Sequence, residues 1–139
     1  MKNKLFISLI CLFTLITSCS NNDDTTTNEE AINIPWSLKS VIGGLVGTND
    51  TFVMGTILWT FDDSTNTLIV LNNNTEDVIY DGLQTGSYNY TISTIDGLDY
   101  LIVDGSNNLG KIESINNELT LDNGLPLDGL FLTFETYTP

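Results

Sequence analysis

A histidine is the ordinary base for a serine or cysteine nucleophile, and this chain of 139 residues has none. Carboxylates are plentiful, and two of them flanking a sugar linkage can cleave it. Asp62 and Asp63, however, are adjacent, so on a strand they point to opposite faces. Asp96 and Asp99 flank an expected turn, and both pairs read as solvated hairpin ends. No glycine-rich loop opens a helix to cradle phosphate. Zinc-type spacing is absent. Asp62 to Asn66 and Asp104-Gly105-Ser106-Asn107-Asn108 offer oxygens to calcium, but neither has the glycine at the sixth place or the acid at the twelfth that an EF-hand loop needs. No catalytic residue, metal ligand or cofactor is expected, and the chain reads as a protein that is not an enzyme. The constellation that remains is aromatic: Trp36, Trp59, Phe61, Tyr88, Tyr90, Tyr100 and Phe134. These rings fall mostly on the apolar face of their segments, where they would either line a pocket or fill a core with their polar tips at its ends.

Before those rings comes a different signal. Lys2 and Lys4 precede a nearly all-apolar run from Leu5 to Ile16, which ends in Ile16-Thr17-Ser18-Cys19. A basic start, a short apolar centre and small residues before the break make a secretory signal. A dozen helical residues rise roughly 18 Å, well short of the roughly 30 Å of a hydrocarbon core, so the run does not read as a membrane span. The last four residues resemble the lipobox of bacterial lipoproteins. That resemblance implies removal of residues 1–18 and acylation of Cys19, with chains such as palmitate, as the first residue and membrane anchor of the mature protein. Cys11 lies in the removed segment, so no internal disulfide is expected, although the compartment would allow one.

Removal of the signal leaves 121 of the 139 residues, one domain of ordinary size plus a tail. Of the charged groups, only Lys39 and Lys111 then stand against 18 carboxylates, two positive minus 18 negative or about −16. Such a surface repels phosphate backbones and anionic head groups. Nucleic acid is therefore not an expected partner, and the membrane is reached through lipid on Cys19 alone. Residues 19–34 begin with a stretch from Ser20 to Glu30 that has no apolar side chain, the composition of a disordered acidic tether. As a flexible coil, about sixteen residues reach some 20–24 Å. Ser20-Asn21-Asn22-Asp23-Asp24 also resembles the acidic signal by which one group of Gram-negative bacteria sends lipoproteins to the outer face of the outer membrane. The expected location is the outer membrane, lipid-anchored, with surface exposure as the extension of that reading.

From residue 35 to 139 the pattern changes to short β-branched and aromatic runs divided by Asn, Asp and Gly clusters. Ser87-Tyr88-Asn89-Tyr90-Thr91-Ile92-Ser93 alternates with Tyr88, Tyr90 and Ile92 on one face, and Glu118-Leu119-Thr120-Leu121-Asp122 alternates too. The runs predict eight main strands near 36–42, 55–61, 67–71, 86–93, 98–103, 110–115, 118–122 and 130–137, with a short extra strand near 77–80. Asp62 to Asn66, Ile95-Asp96-Gly97, Asp104 to Asn108 and Asn116-Asn117 supply the turns. No stretch repeats apolar residues at helical spacing for long enough to form a proper helix. Short connections favour an antiparallel meander, and eight such strands close into an up-and-down barrel that removes both edges. The strand from Leu130 to Tyr137 should then pair with the one at Trp36.

Trp36-Ser37-Leu38-Lys39-Ser40-Val41, Trp59-Thr60-Phe61-Asp62-Asp63, Gly86 to Ile92, Lys111 to Leu121 and Leu132-Thr133-Phe134 resemble, in that order, strands of the bacterial lipocalin-like domains. The resemblance spans nearly everything from Pro35 to the end. One departure is plain: lipocalins usually place glycine two residues before this tryptophan, where the chain has Ile34. The resemblance implies an eight-stranded barrel whose interior holds side chains or one small apolar ligand. A domain of about 105 residues with short strands leaves little spare volume, which favours a filled core. Two functions follow. One is a monomeric, lipid-anchored envelope protein that binds a small apolar ligand through the aromatic set. The other is a surface interaction module with a packed barrel, meeting protein or glycan through acidic loops.

Overall fold

A computed structural model describes residues 34–139. The signal run, Cys19 and most of the acidic stretch lie outside the described residues. The elements are all strands but one: β1 (Trp36–Gly43), β2 (Thr48–Thr51), β3 (Ile57–Asp62), β4 (Thr67–Asn72), β5 (Gly86–Ile95), β6 (Leu98–Val103), β7 (Asn107–Ile115), β8 (Glu118–Asp122) and β9 (Leu130–Thr136), with a single 3-10 turn at Leu125–Leu127. Among the described residues no helix is long and apolar enough to cross a membrane.

Each strand from β3 onward pairs antiparallel with the next, and β9 returns to β1. That closing seam runs from Trp36 opposite Thr136 to Gly43 opposite Leu130. Eight strands, β1 and β3 to β9, therefore form a closed antiparallel barrel, the all-β class and the seam expected from the sequence. Closure satisfies both edges that an open meander would expose. Strand β5 supplies the stagger that closure requires: Gly86 to Asn89 pair with β4, whereas Tyr90 to Ile95 pair with β6.

The alternation that predicted the strands is the alternation of burial. Ile57, Trp59 and Phe61 on β3, Leu68 and Val70 on β4, Leu101 and Val103 on β6, and Leu119 and Leu121 on β8 are buried. Each such side chain contributes about 1.5–3 kcal/mol of hydrophobic free energy. Among the described residues, the buried apolar side chains run from Trp36 to Phe134 and form one cluster.

Two departures from the expected strands have physical causes. The extra strand is at β2, not near 77–80. Thr-Asn-Asp-Thr carries no apolar signal, yet its backbone pairs with Ser40 to Gly43. Below it, Trp36 and Ser37 pair with β3 on the same edge of β1, so β2 and β3 together serve as one interrupted strand. The interruption is bridged by Phe52 N–H to Lys39 O (2.9 Å) and by Gly55 N–H to the buried Ser37 Oγ (2.8 Å). Residues 77–80 instead belong to the long connection 73–85. Its carbonyls are taken by side chains: Asn72 Nδ2 donates to Asp81 O and Leu83 O, and Asn74 Nδ2 to Glu76 O and the Asp81 carboxylate. A loop whose polar groups are met by amides has no ladder to join.

Alternating hairpins give the barrel two different ends. At the first lie the start of β1, the end of β9 and the turns 63–66, 96–97 and 116–117. Asp96 (φ 53°) and Gly97 (φ 77°) both adopt the left-handed region that tight hairpins need. At the second lie the turn 44–47, the long loop 73–85, the turn 104–106 and the loop 123–129. A bulge between Leu101 and Ile102 leads β7 to this end, and there Gly110 approaches β8 so closely that a Cβ would sit 2.4 Å from Asp122 O.

Candidate ligand cavity and the aromatic core

Six of the seven aromatic residues singled out from the sequence touch the barrel core. Trp36, Trp59, Phe61, Tyr90 and Phe134 are buried, and Tyr88 is half-buried against them. Trp59 packs on Phe134 with centroids 4.9 Å apart, and Phe61 meets Tyr90 edge to face at 5.1 Å. Tyr100 does not converge with them. It alternates with the buried Leu101 and Val103 and pairs with Ser93 and Lys111, which puts it on the outer wall. The period of two that placed Tyr88 and Tyr90 inward places Tyr100 outward.

The first end is shut. The Tyr90 hydroxyl donates to Asp63 in the turn 63–66, and burial followed by that hydrogen bond pushes its pKa well above the ordinary phenol value. Asp62 caps the same turn, accepting from Ser64 N–H (3.0 Å), Ser64 O–H (2.6 Å) and Thr65 N–H (3.3 Å). Those bonds, the one from Ser64 foremost, hold its carboxyl below the usual range. Asp99 accepts from Thr94 Oγ1 at 2.6 Å, and Asp104 from Asn89 N–H at 3.1 Å. These four carboxylates are engaged in turns and strand pairing. Among the described residues no three Asp, Glu, Cys or His side chains gather where they could hold a metal ion.

The second end keeps a cavity of about 290 Å³. Its floor is Trp59, Leu109, Leu121 and Leu132, and its outer wall is Leu130 with Tyr80, Gly82 and Leu83 of the loop 73–85. Exposed Asn107 and Asn123 complete the lining. Burial, with the Asp81 charge second, raises the pKa of the Tyr80 hydroxyl. Gly82 lies over the indole edge of Trp59: a Cβ there would meet Cζ2 at 3.4 Å and Nε1 at 3.7 Å. The Nε1 donor itself is buried and has no hydrogen-bond partner among the described residues. A donor left so is unfavourable by about 1–3 kcal/mol. Trp36 Nε1 is likewise unpartnered, but Trp36 does not line this cavity.

Of the residues proposed from the sequence, then, Trp59 alone lines the cavity; the other rings pack beneath it, beside it or outside. The lining residues of the loop were not among them. A connection as long as 73–85 is unusual unless it binds or covers something, and Tyr80-Asp81-Gly82-Leu83 within it, two apolar side chains about a glycine, was the available signal. The arrangement defines a closed β-barrel with tight turns at one end and, at the other, a small cavity lined by leucines, Trp59, Tyr80 and two asparagines. No protein-family model matches the chain, and comparison with the curated proteins and with the solved structures likewise gives no significant match.

Proposed function

We propose that this chain is a lipid-anchored envelope lipoprotein whose lipocalin-like barrel holds a small, largely apolar ligand at its second end. The observation that carries the reading is the 290 Å³ cavity floored by leucines and Trp59, close to the smallest volumes that ligand pockets occupy. The sequence supports the anchor at Cys19 and an outer-membrane location. Residue 34, to which the acidic tether leads, stands at the first end, so the cavity opens on the side of the barrel away from the attachment point.

The mature chain from residue 20, incubated with a lipid extract and analysed by native mass spectrometry, retains a stoichiometric small ligand on this reading. Filling the cavity through Leu132→Trp abolishes retention. Absence of any retained molecule favours the interaction module instead. Metabolic labelling with an alkyne fatty acid tags the wild type and not Cys19→Ala; equal labelling of both removes the anchor from the proposal.

A further inference from the structure

The tips of the two barrel ends differ in chemistry. At the first end the turns present Asp63, Ser64, Thr65, Asp96, Asn116 and Asn117 to solvent, the ordinary composition of hairpin ends. The apolar side chains exposed near them each adjoin a carboxylate: Ile95 and Leu98 precede Asp96 and Asp99, and Ile115 pairs with Glu118. At the second end the turn 44–47 is Gly-Leu-Val-Gly, with no polar side chain, and Leu45 and Val46 stand 86% and 71% exposed between glycines. Leu127, in the adjoining loop 123–129, is 87% exposed, with Asp128 the one carboxylate beside it. A bond from Gly44 N–H to Gly129 O (3.0 Å) ties the two loops together. Gly43 packs so tightly beneath them that a Cβ would lie 2.3 Å from Gly129 O and 2.6 Å from Leu125 Cδ1. Leu45, Val46 and Leu127 therefore project from one joined platform, and an exposed apolar prominence marks a surface that something covers.

We infer that this prominence docks on a lipid bilayer, so that the end of the barrel holding the cavity faces the membrane to which Cys19 is anchored. The inference rests on the anchor proposed at Cys19 and needs no ligand in the cavity. Residues 19–34 span at most about 50 Å when extended. Strand β1, eight residues long, measures roughly 26 Å at about 3.3 Å per residue. The tether joins the first end but is long enough to reach past the second, so its length leaves the orientation open and the two tips decide it. Pressing the first end against lipid would desolvate carboxylates that have no cation to meet; pressing the second end there takes three apolar side chains out of water. Three side chains hold a free domain only weakly, as even a single myristoyl chain does, and the tether supplies the local concentration that makes the contact persist. The acidity of the domain sets the lipid: zwitterionic head groups admit it and anionic ones repel it.

The chain from residue 19, whose only cysteine is Cys19, can be coupled through that thiol to a maleimide-headgroup lipid in phosphatidylcholine vesicles, which makes the test independent of acylation in the cell. Trp36 and Trp59 are wholly buried, so a tryptophan added at the surface reports contact with bromine-labelled acyl chains. Leu45→Trp and Leu127→Trp lose emission to the brominated lipid, and Leu98→Trp at the first end keeps it. Adding Leu45→Ser and Val46→Ser to Leu127→Trp restores the emission, and phosphatidylglycerol in the vesicles restores it in a salt-sensitive way. Quenching of Leu98→Trp as strong as that of Leu45→Trp overturns the orientation. Quenching of Leu127→Trp that survives both serines overturns the role of the prominence. No quenching in any variant overturns the docking, and a concentration-dependent dimer that Leu45→Ser dissolves would then assign the surface to a second copy of the chain. None of these results touches the alkyne label at Cys19 or ligand retention in native mass spectrometry, so failure here and failure of the proposed function are read apart.

Discussion

The two ends of the barrel are made from the same alternating strands and differ in the length of the connections that cover them. At the first end the turns are short, Asp62 and Asp63 are engaged, and Phe61 and Tyr90 close the interior. At the second end the connections 73–85 and 123–129 are long, and a cavity of about 290 Å³ lies between the core and the loop 73–85. Stability is concentrated where polar groups are paired and rings interlock. The cavity lies where the loop 73–85, held by Asn72 and Asn74, stands over the core.

The sharpest break of that contrast is in the shared floor. Phe134→Ala removes a fully buried ring that packs on Trp59, and the expected loss is about 3–5 kcal/mol in urea unfolding. At the sealed end, Tyr90→Phe keeps the ring and deletes the bond to Asp63, for a loss of about 1 kcal/mol. It also changes the alkaline limb. The native state raises the Tyr90 pKa, so this group's stabilisation is complete below the unfolded phenol value near 10 and declines as pH rises above it. Tyr90→Phe therefore shows a shallower alkaline loss, measured as unfolding midpoints from pH 8 to 11; an unchanged slope would remove Tyr90 as its source.

Ser37→Ala strips the acceptor from Gly55 N–H at the interruption between β2 and β3, and about 1 kcal/mol is expected, with faster amide exchange at Gly55 than in the wild type. The smallest effect belongs to the open end. Leu127→Ser or Ile79→Ser changes a side chain 87% or 69% exposed and should shift stability by less than about 0.5 kcal/mol. A loss as large as that of Tyr90→Phe would mean that the second end is as tightly integrated as the first.

Strand positions were legible because burial follows a period of two, and Trp36, Trp59 and Phe134 show it directly. Closure was legible from eight short runs joined mostly by tight-turn residues, since pairing the last strand with the first leaves few backbone groups exposed. Strand β2 was not, because Thr48 to Thr51 owe their conformation to the edge of β1 and not to their own side chains. Nor was the cavity: nothing local to Tyr80 or Gly82 says that they lie over Trp59.

By itself the sequence determined an all-β, strongly acidic domain without histidine, and which side chains face inward, because alternation, turn chemistry and charge are properties of neighbours along the chain. Only the tertiary structure decided that β2 and β3 share an edge of β1, and that Tyr80, Gly82 and Leu83 of the loop 73–85 line a cavity with Trp59. Those depend on which distant backbones meet when the ring shuts, and such distances are fixed by closure alone.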